Sequence, residues 1–199
     1  MSSEPECRIL LVDDDRLILA TLANGLQQAE YRVITAESVD EAEAVLAGGL
    51  CLDLVVLDVN MPDRSGLELA ERLMHFDRIP FILLTAYSDE ELIEQAAALG
   101  AMGYLVKPVD TRQLIPAIEA ALSRHRELSD LRAVSTQLQQ ALNAERDISV
   151  AIGIMMTLHR LSREAAFDLL RSNARSQRRK LSEFAHEVIS AHMTMNAVK

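Results

Sequence analysis

Five short runs rich in Leu, Ile and Val, each separated from the next by an amphipathic stretch, dominate the first 125 residues. They are Arg8–Val12, Tyr31–Ala36, Asp53–Leu57, Pro80–Leu84 and Gly103–Val106. The first, third and fourth are apolar without alternation, as strands covered on both faces require. Between them, Ser38 with Glu41 and Ser88 with Glu91 read as capping boxes that open helices, and Gly48, Gly49 and Gly100 read as stops. A βαβ series with right-handed crossovers gives a parallel sheet between two helical layers. The expected fold class over residues 1–125 is therefore α/β, a doubly wound five-stranded parallel domain.

Past Pro116, which suggests a late or kinked helix start, no further proline occurs and Gly153 is the one glycine. The remainder can be all helix. Leu114, Ala117, Ala121, Arg124, Leu128, Leu131, Ser135, Leu138, Leu142 and Glu145 recur at alternating spacings of three and four. That is a heptad seam, so residues 126–144 are expected to form a helical coiled-coil linker and the chain a homodimer. The alternative is a long helix whose stripe packs on its own C-terminal domain. Residues 145–199 carry three apolar clusters at helical spacing, with breaks near Ser162 and Ser176, predicting a small three-helix all-α domain. The clusters are Ile148/Ala151/Ile154/Met155/Leu158, Ala165/Ala166/Leu169/Leu170 and Leu181/Ala185/Val188/Ile189.

Charge divides the same way. Residues 1–144 hold 11 Lys+Arg against 24 Asp+Glu, a balance of −13, whereas 145–199 hold 9 against 6, a balance of +3, together the net −10 of the chain. An acidic whole repels polyanions, so nucleic acid could be met only by the basic end. Cys7 and Cys51 have no metal-ligand or paired spacing, so free thiols are expected. With no leader-like or membrane-spanning apolar run, the expectation is a soluble cytoplasmic protein that makes no membrane contact.

In an open parallel sheet, ligands bind where strands end. Here the runs end in Asp13, Asp14 and Asp15, then Asp58, Thr85, and Lys107 with Pro108. Clustered carboxylates without His or Cys call for a hard cation such as Mg²⁺, and Lys107 would help neutralise them. The strings LVDDD, LDVNMPDRSG, LLTAYS and GYLVKP, in this order, resemble the receiver domain of two-component response regulators, whose sheet is flavodoxin-like. The resemblance implies that Asp58 is the phospho-acceptor, phosphorylated by a sensor histidine kinase. It implies that Asp14, Asp58 and the main-chain carbonyl of Asn60 hold Mg²⁺, with Asp13 acting through water. It further implies a phosphoryl contact from Thr85, an ammonium from Lys107, a cis Lys107–Pro108 peptide and a switch aromatic at Tyr104. Asp15 receives no role. A regulator of this kind assists its own phosphorylation but is not otherwise an enzyme.

The output lies in the last 55 residues, which lack a Gly-rich loop, a nucleophile–base arrangement and metal-ligand spacing. Arg171, Arg175, Arg178, Arg179 and Lys180 form the dense basic patch there, and charge at a helix N-terminus suits phosphate oxygens if Arg178–Lys180 open the third helix. ISVAIGIMM, LSREAAFDLLRSNA and RRKLSEFAHEVI resemble the ANTAR domain of AmiR- and NasR-type antitermination regulators. That resemblance implies binding of RNA hairpins in leader transcripts. One departure is Ile152, where such domains often carry Lys. Two alternatives stay open: a DNA-binding helix-turn-helix, and a regulator that sequesters a protein through the coiled coil. The expected open face of the third helix, Glu183, His186, Glu187 and Ser190, is poor for duplex DNA.

Overall fold

The structure, a computed structural model, describes residues 7–62, 64–86 and 90–196. Its elements run β1 (Arg8–Val12), α1 (Arg16–Gln28), β2 (Arg32–Ala36), α2 (Val39–Ala47), β3 (Leu54–Asp58) and α3 (Gly66–Arg72). There follow β4 (Phe81–Thr85), α4 (Glu90–Ala98), β5 (Gly103–Val106), α5 (Thr111–His159), α6 (Arg163–Ser176) and α7 (Leu181–Asn196). A π-helical turn, Leu73–Asp77, extends α3. Two compact units divide between Ser129 and Asp130, and α5 contributes residues to both.

The first unit is a parallel sheet ordered β2-β1-β3-β4-β5. Alternation sends its residues to two cores. Leu10, Val12, Val55, Leu57, Phe81 and Leu83 pack with residues of α2, α3 and α4, while Ile9, Leu11, Leu54, Val56, Ile82 and Leu84 pack with α1 and α5. Unbroken apolar runs are thus explained by two covered faces. The order reverses between β1 and β3, which places the ends of those two strands side by side. Asp13 and Asp58 stand there.

Most local expectations are met within a residue, β3 and β4 being shifted so that Asp58 and Thr85 are the last strand residues. Ser38 Oγ accepts from the Glu41 amide, and Glu41 returns a carboxylate oxygen to the Glu37 amide. Ser88 and the Glu91 side chain lie outside the described residues. Gly49 and Gly100 take φ of 70° and 72°, the left-handed conformation suited to glycine after a helix.

Two expectations are corrected. Pro116 does not delay α5, which starts at Thr111 with Pro116 inside it. The start is fixed upstream, where Asp110 and Gln113 exchange reciprocal bonds of 2.9 and 3.2 Å, each side chain accepting from the other's amide. Burial of Leu114, Ile118 and Ala121 then offsets the one lost backbone bond. The heptad seam also divides: Leu114 and Ala121 are buried in the first unit's core, whereas Leu131, Leu138 and Leu142 are 66%, 61% and 53% exposed.

In the second unit, Ala151, Ile152 and Met155 of α5 pack with Ala166 and Leu170 of α6 and Ala185 and Ile189 of α7. Leu158, expected in this core, is exposed at the end of α5. Ser162 caps α6 by accepting from the Ala165 amide. Ile152, where a cation was the family's expectation, is buried. Both helix junctions turn on an arginine with positive φ: Arg160 at 53°, where the Leu161 amide donates to the Met156 carbonyl, and Arg178 at 55°, where the Arg179 amide donates to the Ala174 carbonyl. A side chain in that region costs about 1 kcal/mol or more that glycine would not. Arg160→Gly is therefore expected to raise the stability of the C-terminal helical unit by about 1 kcal/mol, read by amide hydrogen exchange of α6 in the full chain; unchanged or faster exchange would contradict it.

Candidate functional site

The site is built at the C-terminal edge of the sheet. Asp13 follows β1, Asp58 ends β3 and Thr85 ends β4, and all three are buried, at 0%, 2% and 1% exposure. Lys107 follows β5 and its amide donates to the Thr85 carbonyl at 2.7 Å. Its Nζ lies 2.6 Å from Asp13 Oδ2 and 2.8 Å from Asp58 Oδ2. Two buried carboxylates would otherwise repel across the strand gap, and one ammonium between them opposes both desolvation and repulsion without cancelling them.

Burial pushes the Asp58 carboxyl above its ordinary 3.8; the Lys107 bond and the Asn60 amide oppose this and the Asp13 charge adds to it. For Lys107, burial acts to lower the amine, but the bonds to Asp13 and Asp58 outweigh it and the net direction is up. The ammonium therefore stays charged.

Asp13, Asp14 and Asp58 each offer a carboxylate oxygen within 4.8 Å of the others. Three hard oxygen donors without nitrogen or sulfur fit Mg²⁺, and Asp14, being exposed, leaves a solvent side for the waters that ion retains. Asp13 is otherwise engaged: Oδ1 accepts from the Asp15 amide and Oδ2 faces Lys107. The Asn60 amide donates to Asp58 Oδ1 at 3.2 Å, so the turn after β3 is tied to the acceptor. Tyr104 on β5 is 42% exposed, an outward position, and Lys107–Pro108 is cis.

Several contributors were missed in the sequence. Asp15 caps α1, its Oδ1 accepting from Leu17 and Ile18 at 2.8 and 3.3 Å; an Asp directly before an amphipathic run is the cap signal that should have found it. At Gly66 a Cβ would stand 2.0 Å from the Asp58 carbonyl oxygen, so glycine is required by close approach. Arg64 bonds three carboxylates, Asp40, Glu43 and Glu68, a convergence that no local pattern announces.

The basic end is partly corrected. Arg178 and Arg179 close α6 rather than opening α7; Lys180 is the entry residue, its carbonyl accepting from Phe184. Arg179 is ion-paired with Glu187. Arg171, Arg175, Arg178 and Lys180 are exposed and form no ion pair among the described residues. On α7, Glu183, His186, Glu187 and Ser190 are exposed as expected, and His186 Nδ1 lies 3.1 Å from Asp147 of α5.

The raised Asp58 carboxyl fixes a sign. The folded state holds that proton to higher pH than the unfolded chain, so deprotonation from 3.8 upward through the folded value costs stability. In metal-free protein, Asp58→Asn should raise the urea midpoint at neutral pH, because Lys107 keeps Asp13, and the gain should shrink as pH falls toward 3.8. A lower midpoint at neutral pH would contradict this electrostatic picture.

Comparison with known proteins agrees with the geometry. The response regulator receiver domain family matches residues 9–119 and the ANTAR domain family residues 136–189. The transcriptional regulatory protein PdtaR of Mycobacterium tuberculosis is 36% identical over 183 residues, 92% of this chain and 89% of that protein. PhoB of Pseudomonas aeruginosa, a phosphate regulon transcriptional regulatory protein, is 38% identical over 119 residues, 58% of this chain and 52% of its own. Among solved structures, chemotaxis protein CheY4 of Vibrio cholerae superposes with a TM-score of 0.55 at 32% identity, covering 59% of this chain and 99% of its own. A CheY-like receiver from Methanospirillum hungatei gives 0.57 at 30%, covering 62% and 98%. Receiver sheet, acidic cluster and C-terminal helices thus converge, and the chain belongs to the two-component response regulators that carry a receiver domain followed by an ANTAR domain.

Proposed function

We propose that this response regulator accepts a phosphoryl group on Asp58 from a sensor histidine kinase and, so modified, acts as a transcription antiterminator that binds RNA hairpins in leader transcripts. The observation that carries the first half is the buried Asp58 carboxylate held by Lys107 beside Asp13 and Asp14. A carboxylate oxygen of Asp58 attacks phosphorus, the P–N bond of the donor phosphohistidine breaks, and the imidazole leaves with the bonding pair. Lys107 supplies positive charge to the phosphoryl oxygens, and the Thr85 hydroxyl, one strand over, is the donor suited to another. Asp14 and Asp58, with the Asn60 main-chain carbonyl, would hold Mg²⁺, Asp13 acting through water because its own oxygens face the Asp15 amide and Lys107; the ion's charge would offset the negative charge that remains. Tyr104, now outward, is the aromatic whose rotamer would report the modified state.

The second half rests on the exposed cations of the second unit. Arg171, Arg175, Arg178 and Lys180 face solvent without an ion pair among the described residues, which leaves their charge available to phosphate oxygens. With Ile152 buried, the cations at and beside the α6–α7 junction form the densest exposed basic group available to meet the backbone of a hairpin. The exposed Leu131, Leu138 and Leu142 stripe supports self-association as a coiled coil, which would present two such junctions to one transcript. Acting on leader transcripts, the regulator would work in the cytoplasm.

Converting Arg175, Arg178 and Lys180 to Ala is expected to weaken binding of a structured leader RNA at every salt concentration and to flatten log affinity against log salt by about one unit for each phosphate no longer neutralised; an unchanged slope would remove RNA binding from this loop. Leu138→Lys should shift the full chain toward monomer in sedimentation while leaving phosphoryl uptake at Asp58 intact. A variant that sediments like the wild type would refute the coiled coil.

A further inference from the structure

Arg64 stands in the turn that joins Asp58 to α3, yet its side chain is committed to other helices. Nη1 donates to Asp40 Oδ1 at 2.9 Å and to Glu43 Oε2 at 3.0 Å, Nη2 to Glu43 Oε1 at 3.3 Å, and Nε to Glu68 Oε2 at 3.1 Å. Asp40 and Glu43 belong to α2 and Glu68 to the first turn of α3. One guanidinium thus gathers three carboxylates. Only a planar fork with five donors can hold Glu43 bidentately while keeping the other two partners. Glu43 responds: the Arg64 bond holds its carboxyl below the usual range. Arg72 extends the group, 3.6 Å from Glu43 and 3.2 Å from Asp77.

What this anchors is the backbone around the acceptor. The next residue, Ser65, caps α3 and sets its hydroxyl against the Val59 carbonyl, and the Gly66 amide donates to that same carbonyl at 3.1 Å. Gly66 lies against the Asp58 carbonyl with no room for a Cβ. The Asn60 amide in turn holds Asp58 Oδ1. Displacing the turn at Arg64 therefore displaces the peptides that orient the Asp58 carboxylate and carry the Asn60 carbonyl.

We propose that Arg64 is a positioning residue for phosphoryl transfer, clamping the turn after Asp58 to α2 so that the acceptor carboxylate is held in its reactive orientation. This rests on Asp58 being the phospho-acceptor. Orientation governs the reaction step rather than donor capture, so loss of the clamp lowers the maximal rate. An alternative role, attraction of an anionic donor by the Arg64 charge, makes opposite predictions: it acts on donor affinity, fades with salt, and is enhanced when Glu43 is neutralised.

The test follows phosphoryl uptake from acetyl phosphate in the full chain, alongside Mg²⁺ affinity by calorimetry and amide exchange at Gly66. Arg64→Met is expected to lower the maximal uptake rate about tenfold with the apparent affinity for acetyl phosphate unchanged, to weaken Mg²⁺ binding and to speed exchange at Gly66. Glu43→Gln should move the same readouts in the same direction, and Arg64→Lys should restore part of the rate. The double variant should add little to Arg64→Met, since both remove one clamp. Wild-type rates and Gly66 exchange in Arg64→Met would overturn the proposal. So would faster uptake in Glu43→Gln, or a change confined to donor affinity. If Arg64→Met does not fold, Arg64→Lys and Glu43→Gln decide on the same criteria. Failure of the wild-type chain itself to take phosphoryl would instead defeat the assignment of Asp58.

Discussion

A single ammonium between two carboxylates organises the C-terminal edge of the sheet. Lys107 reaches Asp13 and Asp58 from the far side of the sheet, crossing the end of β4, so three strand termini are tied through one nitrogen. Burial makes the arrangement tense rather than restful, since it raises the Asp58 carboxyl even with the lysine in place. A cation bound beside it, or conversion of the carboxylate to an acyl phosphate exposed to the same ammonium, changes that balance directly.

Elsewhere the chain places charge where backbone geometry is expensive. Among the described residues the non-glycine positions with positive φ are Glu30, Arg78, Arg160 and Arg178, all charged and all beyond helix ends. At Gly49 and Gly100 the same need is met by glycine. The arginines of the C-terminal junctions therefore carry a conformational cost, and Arg178 lies in the segment 145–199 whose charge balance is +3 against −13 for residues 1–144.

α5 binds these themes to the apolar stripe. Its early turns are core to the receiver, its last turns are core to the helical output unit, and between them Leu131, Leu138 and Leu142 remain in water. One helix thus serves three environments with one continuous repeat, which explains why the periodicity looks uniform while burial does not.

The parallel sheet and its two-sided burial, the acidic tips, the lysine and the three-helix C-terminal unit were legible in the sequence, because period, punctuation and residue type are local and parallel pairing follows from connection rules. Asp13, Asp58, Thr85 and Lys107 were nameable because each ends a recognisable run. The tertiary structure alone decided which stretch of the heptad seam is core and which is bare, since Leu114 and Leu138 obey the same spacing and differ only in their neighbours. It alone revealed the Arg64 hub and the Gly66 contact, because attraction and steric exclusion between residues distant in sequence leave no periodic trace. It also placed the α5 start at Thr111: Asp110, Gln113 and a buried face together outweigh what Pro116 signals locally.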